Sequence, residues 1–220
     1  TKSSHFSFIM EEALKNDIHI ETSSAFDIQI IEDLHARGLM DKEHFIICNG
    51  FKRDNYLEYI TNMVNNGFVN IIPILDNLVE IDAYDSIRKK MQLGIRIASE
   101  EEPKFDFYTS RLGIRYNDVV PLYLQKIKDN PKYELKMLHF FINTGIKDTA
   151  YYWHELHKSV NVYCELKKVC PELNSLNIGG GFPIKNSLAY SYEYDYMAEE
   201  IIAQIKSMCE RNNVEEPDIF

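Results

Sequence analysis

Apolar positions along the chain alternate between two spacings. Short runs rich in β-branched residues occur at Ile18–Glu21, Phe45–Cys48, Asn70–Ile74, Leu93–Ala98, Leu135–Phe141 and Leu173–Ile178. Between these runs apolar residues recur at i, i+3, i+4 and i+7, the period of a helix that buries one face. This predicts helices over His5–Asn16, Ala25–Arg37, Asp54–Asn66, Leu78–Lys90, Val119–Lys128, Thr149–Val169 and Tyr192–Asn212. Phe8, Ile9, Ala13 and Leu14 share one side of the first helix. Phe26, Ile30, Ile31 and Leu34 are expected to face inward from the second, which Gly38 stops. No hairpin signal joins consecutive strands.

Strands separated by helices need crossover connections and therefore run parallel. Their almost unbroken apolar content fits burial on both faces. An open doubly wound sheet and a closed (β/α)8 barrel both meet these conditions. An open sheet usually announces its nucleotide site by GxGxxG after the first strand, and none occurs here. The termini favour the barrel. Thr1-Lys2 stands directly before a helix, where a further strand would finish, and Pro217–Phe220 reads as a strand beginning. Six whole strands and one clipped at each end make eight. The expected fold is α/β: a TIM-type barrel incomplete at both ends, with residues 1–220 as one domain.

Charge and composition narrow the function. With 24 basic against 34 acidic side chains the net charge is −10. Such a surface repels phosphate backbones, which excludes a general nucleic-acid binder, and it admits a cationic ligand. No apolar run approaches a membrane span, and the start lacks a signal-peptide pattern. Cys48, Cys164, Cys170 and Cys209 are scattered without CxxC, as expected of free thiols in a reducing cytoplasm. His154 and His157 are three apart, not the four of a metalloprotease pattern, so they read as helix surface and no metal site is expected. Tyr151, Tyr152, Trp153 and Leu156 read as packing of that helix on the barrel. The longest irregular stretch, Ser99–Asn117, is polar and reads as a strand-to-helix loop, its Glu100–Glu102 run solvated.

Two features carry candidate chemistry. Gly179-Gly180-Gly181 follows an apolar strand directly, and residues without Cβ let successive N–H groups converge on one anion. The run by itself equally suits a bare turn. Its place after the seventh strand of the expected barrel, where such folds commonly seat a phosphate, favours the anion site. Lys2 taken alone is an ordinary surface charge. At the top of a first strand, a lysine held in a pocket can form a Schiff base with an aldehyde cofactor. Glu21, nineteen residues later, ends the next strand and would aim at the same mouth.

Together these motifs resemble the barrel domain of the pyridoxal phosphate (PLP)-dependent decarboxylases of alanine-racemase fold (fold type III). The arginine decarboxylases are the most similar, with ornithine, diaminopimelate and carboxynorspermidine decarboxylases as relatives. Lys2 matches the Schiff-base lysine, and Glu21-Thr22-Ser23-Ser24-Ala25-Phe26-Asp27 the acid-x-(Ala/Ser)-Ser segment at the family's spacing. Ile47–Lys52 is similar to the arginine decarboxylase version of the third strand end. Thr109–Ile114 stands at the Ser-x-Lys-Phe-Gly position with Arg111 for Lys, and Ile178–Phe182 at the phosphate loop. His139–Thr144 departs from the family's His-Phe-His-x-Gly-Ser: Phe141 takes the place of the histidine that stacks on the cofactor ring, and Thr144 that of the phosphate-binding serine. The eighth-strand phosphate motif and the C-terminal β-domain of the family fall beyond Phe220.

The resemblance implies decarboxylation of a basic amino acid, with arginine to agmatine in polyamine biosynthesis preferred, by a cytoplasmic homodimer when full length. It implies that Gly179, Gly180 and Gly181 hold the phosphate, that Glu21 lies near Lys2 and the ring, and that Arg111 pairs with Glu21 or Asp27. The isolated chain is expected to bind PLP weakly and not to turn over. Two other readings stay open: a PLP-binding barrel without turnover, which the fold also contains, and a different barrel enzyme taking a phosphorylated substrate at the glycine run.

Overall fold

The computed structural model describes residues 6–16, 18–99, 112–184 and 191–220; Lys2 and Arg111 lie outside the described residues. Seven strands follow one another within this part: β1 (Ile20–Thr22), β2 (Ile46–Cys48), β3 (Ile71–Leu75), β4 (Met91–Ile97), β5 (Tyr133–Phe140), β6 (Ser175–Asn177) and β7 (Asp218–Ile219). They form a single sheet in chain order, and every adjacent pair is parallel. The helices between and before them are α1 (Ser7–Lys15), α2 (Ala25–Ala36), α3 (Asp54–Asn65), α4 (Tyr116–Leu122), α5 (Ala150–Lys167) and α6 (Tyr194–Asn212).

The sheet is curled, not open. In a flat sheet of about 4.8 Å spacing, β1 and β6 would stand about 24 Å apart. Instead Asn177 at the end of β6 donates to Glu21 in β1 at 2.9 Å. The ring of Phe220 lies 5.6 Å from that of Phe45 and 6.0 Å from His19. Contacts of this kind require the sheet to wrap around a common interior, as in an incomplete (β/α)8 barrel.

Strand alternation sorts the side chains. Ile46, Ile71, Leu75, Leu93, Ile95, Leu135, Leu138 and Leu176 point outward into one large core shared with the helices. Ile47, Ile72, Ile74 and Met137 point inward, with Phe45 and Phe220 against them. A bulge re-phases β5: Leu93 faces Leu135, but the next residue, Gly94, faces Met137, so Lys136 is extra. With regular alternation through Lys136 and no bulge, Met137 and His139 would face the helices.

Four expectations need correction. Leu78–Lys90 is not a full helix but a single 3-10 segment over Glu80–Tyr84. The segment is pinned by Asn77, whose side chain accepts from Val79 and Glu80, and the chain then re-enters the sheet at Met91. On α2 the fully buried face is Ile28, Ile31 and Leu34, whereas Phe26 is 73% exposed. The reason is local. The Asp27 carboxylate accepts from the Ser23 N–H at 2.7 Å and the Ser24 hydroxyl at 3.2 Å, a capping arrangement that sets the helix rotation. On α1, Met10 and Leu14 are buried while Phe8 and Ile9 stay exposed. Helix α4 begins earlier than expected, at Tyr116, and widens into a π-turn over Tyr123–Ile127 after Pro121.

Candidate functional site

Above the interior apolar cluster, inward positions at the strand ends turn polar. β1 supplies Glu21, the residue after β2 is Asn49, β4 supplies Arg96, β5 His139 and β6 Asn177. Parallel strands all end on the same rim, so these side chains meet. Asn177 donates to one Glu21 oxygen at 2.9 Å and Asn49 to the other at 3.3 Å. The backbone fixes the orientation of both amides: Asn49 Oδ1 accepts from Gly50 N–H and Asn177 Oδ1 from Gly179 N–H. Asn49 must therefore present its NH2 to His139 Nε2, 2.9 Å away. That nitrogen accepts, so His139 is neutral with its proton on Nδ1.

Burial agrees with this tautomer. His139 is only 1% exposed, and desolvation pushes its pKa down to about 4, with Arg96 adding to the fall and Glu21 opposing it. The consequence for stability has a definite sign. Between about pH 6.5 and 4 the unfolded chain binds a proton that the folded one does not, so stability falls as pH drops through that window. Urea denaturation of the wild type at pH 7 and 4.5 should show the loss, and His139→Asn should remove most of the pH dependence.

The β5 end continues into the second half of the rim. Arg96 Cζ lies 5.7 Å from the centre of the Phe141 ring. Gly145 N–H closes a turn on Ile142 carbonyl at 3.0 Å, and this turn carries Thr144. Gly145 and Gly181 both have positive φ, +78° and +102°. A Cβ on Gly181 would stand 3.0 Å from Gly145 Cα, and one on Gly145 would run into the Gly181 carbonyl. The turn bearing Phe141 and Thr144 is thus docked directly on the glycine run, at a backbone distance only glycine allows. Gly179 N–H is spent on Asn177, whereas the N–H groups of Gly180 and Gly181 have no partner among the described residues.

Behind the rim lies a buried ionic cluster. Lys52 Nζ is 2.9 Å from Glu80 and 3.9 Å from Asp76, and Arg96 is 3.9 Å from Asp76. Lys52 also donates to the Ile74 carbonyl at 2.5 Å. Burial raises the Asp76 carboxyl pKa, with Lys52 and then Arg96 pulling it back. Arg96 is thus close to both the buried Asp76 carboxylate and the Phe141 ring.

Of the residues singled out in the sequence, Glu21, Phe141, Thr144, Gly179, Gly180 and Gly181 come from three strand ends joined by contacts just described. Asp27 is occupied at the start of α2. Asn49, Arg96, His139 and Asn177 escaped the sequence reading. The available signal was a polar residue on the inward phase of an otherwise apolar strand, clearest for Arg96 within Leu93-Gly94-Ile95-Arg96-Ile97. All four cysteines are buried free thiols, and burial pushes Cys48 up to about 11, which leaves it unreactive. A groove between α1 and α2, lined by Ser7, Phe26, Gln29, Ile30 and Asp33, shares no residue with the rim.

A parallel barrel with an acid, a ring-bearing strand end and a glycine loop on one rim is a frame able to seat a phosphate-bearing cofactor. The family pattern described as "Pyridoxal-dependent decarboxylase, pyridoxal binding domain" matches residues 9–220, and the chain belongs to this family. Lys2 precedes the matched residues. The chain is 26% identical over 198 residues to the biosynthetic arginine decarboxylase of Prochlorococcus marinus, covering 83% of this chain and 30% of that protein. Among solved structures, the biosynthetic arginine decarboxylase of Campylobacter jejuni superposes with a TM-score of 0.73 at 21% identity, over 97% of this chain and 36% of that one. Lysine decarboxylase from Selenomonas ruminantium gives 0.76 at 20% identity, over 97% and 52%. These structures share the fold. The chain spans about a third of the length of the arginine decarboxylases it matches.

The cofactor of this family is pyridoxal phosphate, and the rim suits it. Gly180 and Gly181 are exposed, and their N–H groups make no protein hydrogen bond among the described residues, so they are accessible to an anion. The Phe141 ring offers an apolar face, and Glu21 is a carboxylate whose two oxygens are oriented by amides. Among the described residues no helix is long and apolar enough to cross a membrane.

Proposed function

We propose that this chain is the cofactor-binding barrel of a PLP-dependent decarboxylase acting on a basic amino acid, arginine in first place. The observation that carries the reading is Asn177, one side chain that touches both Glu21 and the glycine loop and so makes them parts of one site. Pyridoxal phosphate, when bound, supplies an electron sink for the bond that breaks on loss of carbon dioxide.

The residues divide the remaining tasks. Gly180 and Gly181 hold the phosphate through their N–H groups, with Gly179 setting the turn, and the Thr144 hydroxyl adds a donor from the neighbouring turn. Lys2 holds the aldehyde end. Glu21 sets the charge next to Lys2 and the ring, and Arg111 pairs with Glu21 or with Asp27, whose Oδ2 serves the helix cap. Phe141 would offer an apolar ring to the cofactor. Being unable to donate a proton, it leaves proton transfer to other groups. Polyamine synthesis as the destination of the product, a homodimeric full-length protein and a cytoplasmic setting belong to the same reading.

Carbon dioxide release from arginine, ornithine, lysine and diaminopimelate, measured side by side with the complete polypeptide, tests it. Arginine is expected to be turned over fastest; ornithine, diaminopimelate or carboxynorspermidine taking its place would reassign the substrate. Phe141, where its relatives' motif has a histidine, favours a second reading as a PLP-binding barrel without turnover. Tight cofactor binding with no carbon dioxide from any of the four would establish that one.

A further inference from the structure

The glycine loop is fastened from outside by two tyrosines on the segment that enters α6. Tyr192 donates its hydroxyl to the Ile146 carbonyl at 2.9 Å. The N–H of the same residue, Ile146, donates to the Gly181 carbonyl at 3.2 Å. Ile146 is buried, 1% exposed, and so is a fixed anchor. Its backbone is gripped by Tyr192 on one side and grips the loop on the other. Tyr194 donates its hydroxyl to the Pro183 carbonyl, two residues past the last glycine. Its ring stacks edge-on against Tyr192 at 4.7 Å, and the Phe182 ring sits 6.4 Å and 6.5 Å from the two.

Gly180 has nothing within 4 Å of where a Cβ would be, so the middle of the loop has no packing of its own. A glycine run without side-chain contacts is costly to order, at about 1–2 kcal/mol per residue of backbone entropy. Its shape must come from its ends. Asn177 and Phe140 hold the first end, where Gly179 N–H is bonded and its Cβ position is 2.9 Å from the Phe140 carbonyl. Ile146, Tyr192 and Tyr194 hold the second.

We infer that Tyr192 and Tyr194 form a latch that positions the glycine loop for a phosphate monoester, acting through Ile146 and Pro183 without touching the ligand. The inference rests on the reading of Gly180 and Gly181 as the phosphate site and deepens it. Both are positioning residues: the latch sets how well the N–H pair is arranged before an anion arrives, so it governs affinity for the phosphate and not for the rest of a ligand.

The test compares PLP with pyridoxal, which lacks the phosphate, and with inorganic phosphate as competitor, on the complete polypeptide. Tyr192→Phe and Tyr194→Phe each keep the ring packing and remove one hydroxyl. Each variant is expected to bind PLP about five- to tenfold more weakly, the effect of one lost hydrogen bond, and pyridoxal within twofold of wild type. Inorganic phosphate should also compete less well in both. Equal weakening of PLP and pyridoxal would show a general packing role and overturn the latch, as would unchanged PLP affinity in both variants. Wild-type protein that binds PLP no better than pyridoxal would overturn the phosphate site itself, and the latch with it. Two variants with separate anchors keep the result readable if one of them fails to fold.

Discussion

Lys2→Ala in the complete polypeptide is expected to abolish the visible absorption that bound cofactor acquires, and to leave no pyridoxyl group on the protein after borohydride reduction. Among the ordinary side chains, only a lysine amine condenses readily with an aldehyde and is then fixed by hydride as a stable secondary amine. Loss of that attachment removes the largest single contribution to cofactor retention, so the effect should be near complete. The lysine must also shed its proton to react, and an apolar, partly desolvated pocket favours the neutral amine. Mass spectrometry of a tryptic digest locates the label. A pyridoxyl group on another lysine, with Lys2→Ala still coloured, would move the attachment point and remove Lys2 from the role.

Gly145→Ala is expected to weaken PLP at least about tenfold, though Gly145 itself is not a proposed ligand. Two costs act together. An L-residue at φ +78° is strained by about 1–2 kcal/mol, and the new Cβ collides with the Gly181 carbonyl. The collision can be relieved only by separating the Thr144 turn from the glycine loop, which also breaks the Ile146–Gly181 hydrogen bond. The strain is borne with or without cofactor and lowers stability; the affinity loss comes from displacing the glycine loop, and about 1.4 kcal/mol of such displacement is a factor of ten. Fluorescence titration with PLP measures the change. The control is Gly38→Ala, also at positive φ but with nothing within 4 Å, at the far end of α2. It carries similar backbone strain and should leave PLP affinity unchanged; a comparable loss there would show a general effect on folding.

How far the site could be read from the chain depended on whether each residue's signal was local. Helix and strand order was legible because apolar spacing is set by the geometry of each element, and the parallel sheet followed from the crossovers alone. Gly179–Gly181 and Glu21 were visible for a similar reason: three consecutive glycines and an acid ending a strand stand out from their neighbours. Arg96 and His139 did not, because their importance is a matter of phase. His139 faces the mouth only through the bulge at Lys136, which no spacing rule announces. Asn177 stands two residues before the glycine run, but nothing local marks it as the link to Glu21, since that partner is 156 residues away. The over-long helix at Leu78–Lys90 and the inward placement of Phe26 failed where a capping side chain outweighed the apolar period.

The amino-acid order alone set most of the strand and helix segments, that the strands run parallel, and where a glycine run and a strand-ending acid stand. These are consequences of backbone geometry and side-chain periodicity acting over a few residues at a time. Only the folded molecule decided that Asn49 and Asn177 hold Glu21, that His139 is a neutral buried acceptor, and that the glycine loop is seated on Gly145 and Ile146. Each of those depends on close approach between strand ends far apart in the chain. Such approaches arise when the curled sheet brings its ends onto one rim, and no local pattern encodes the curl.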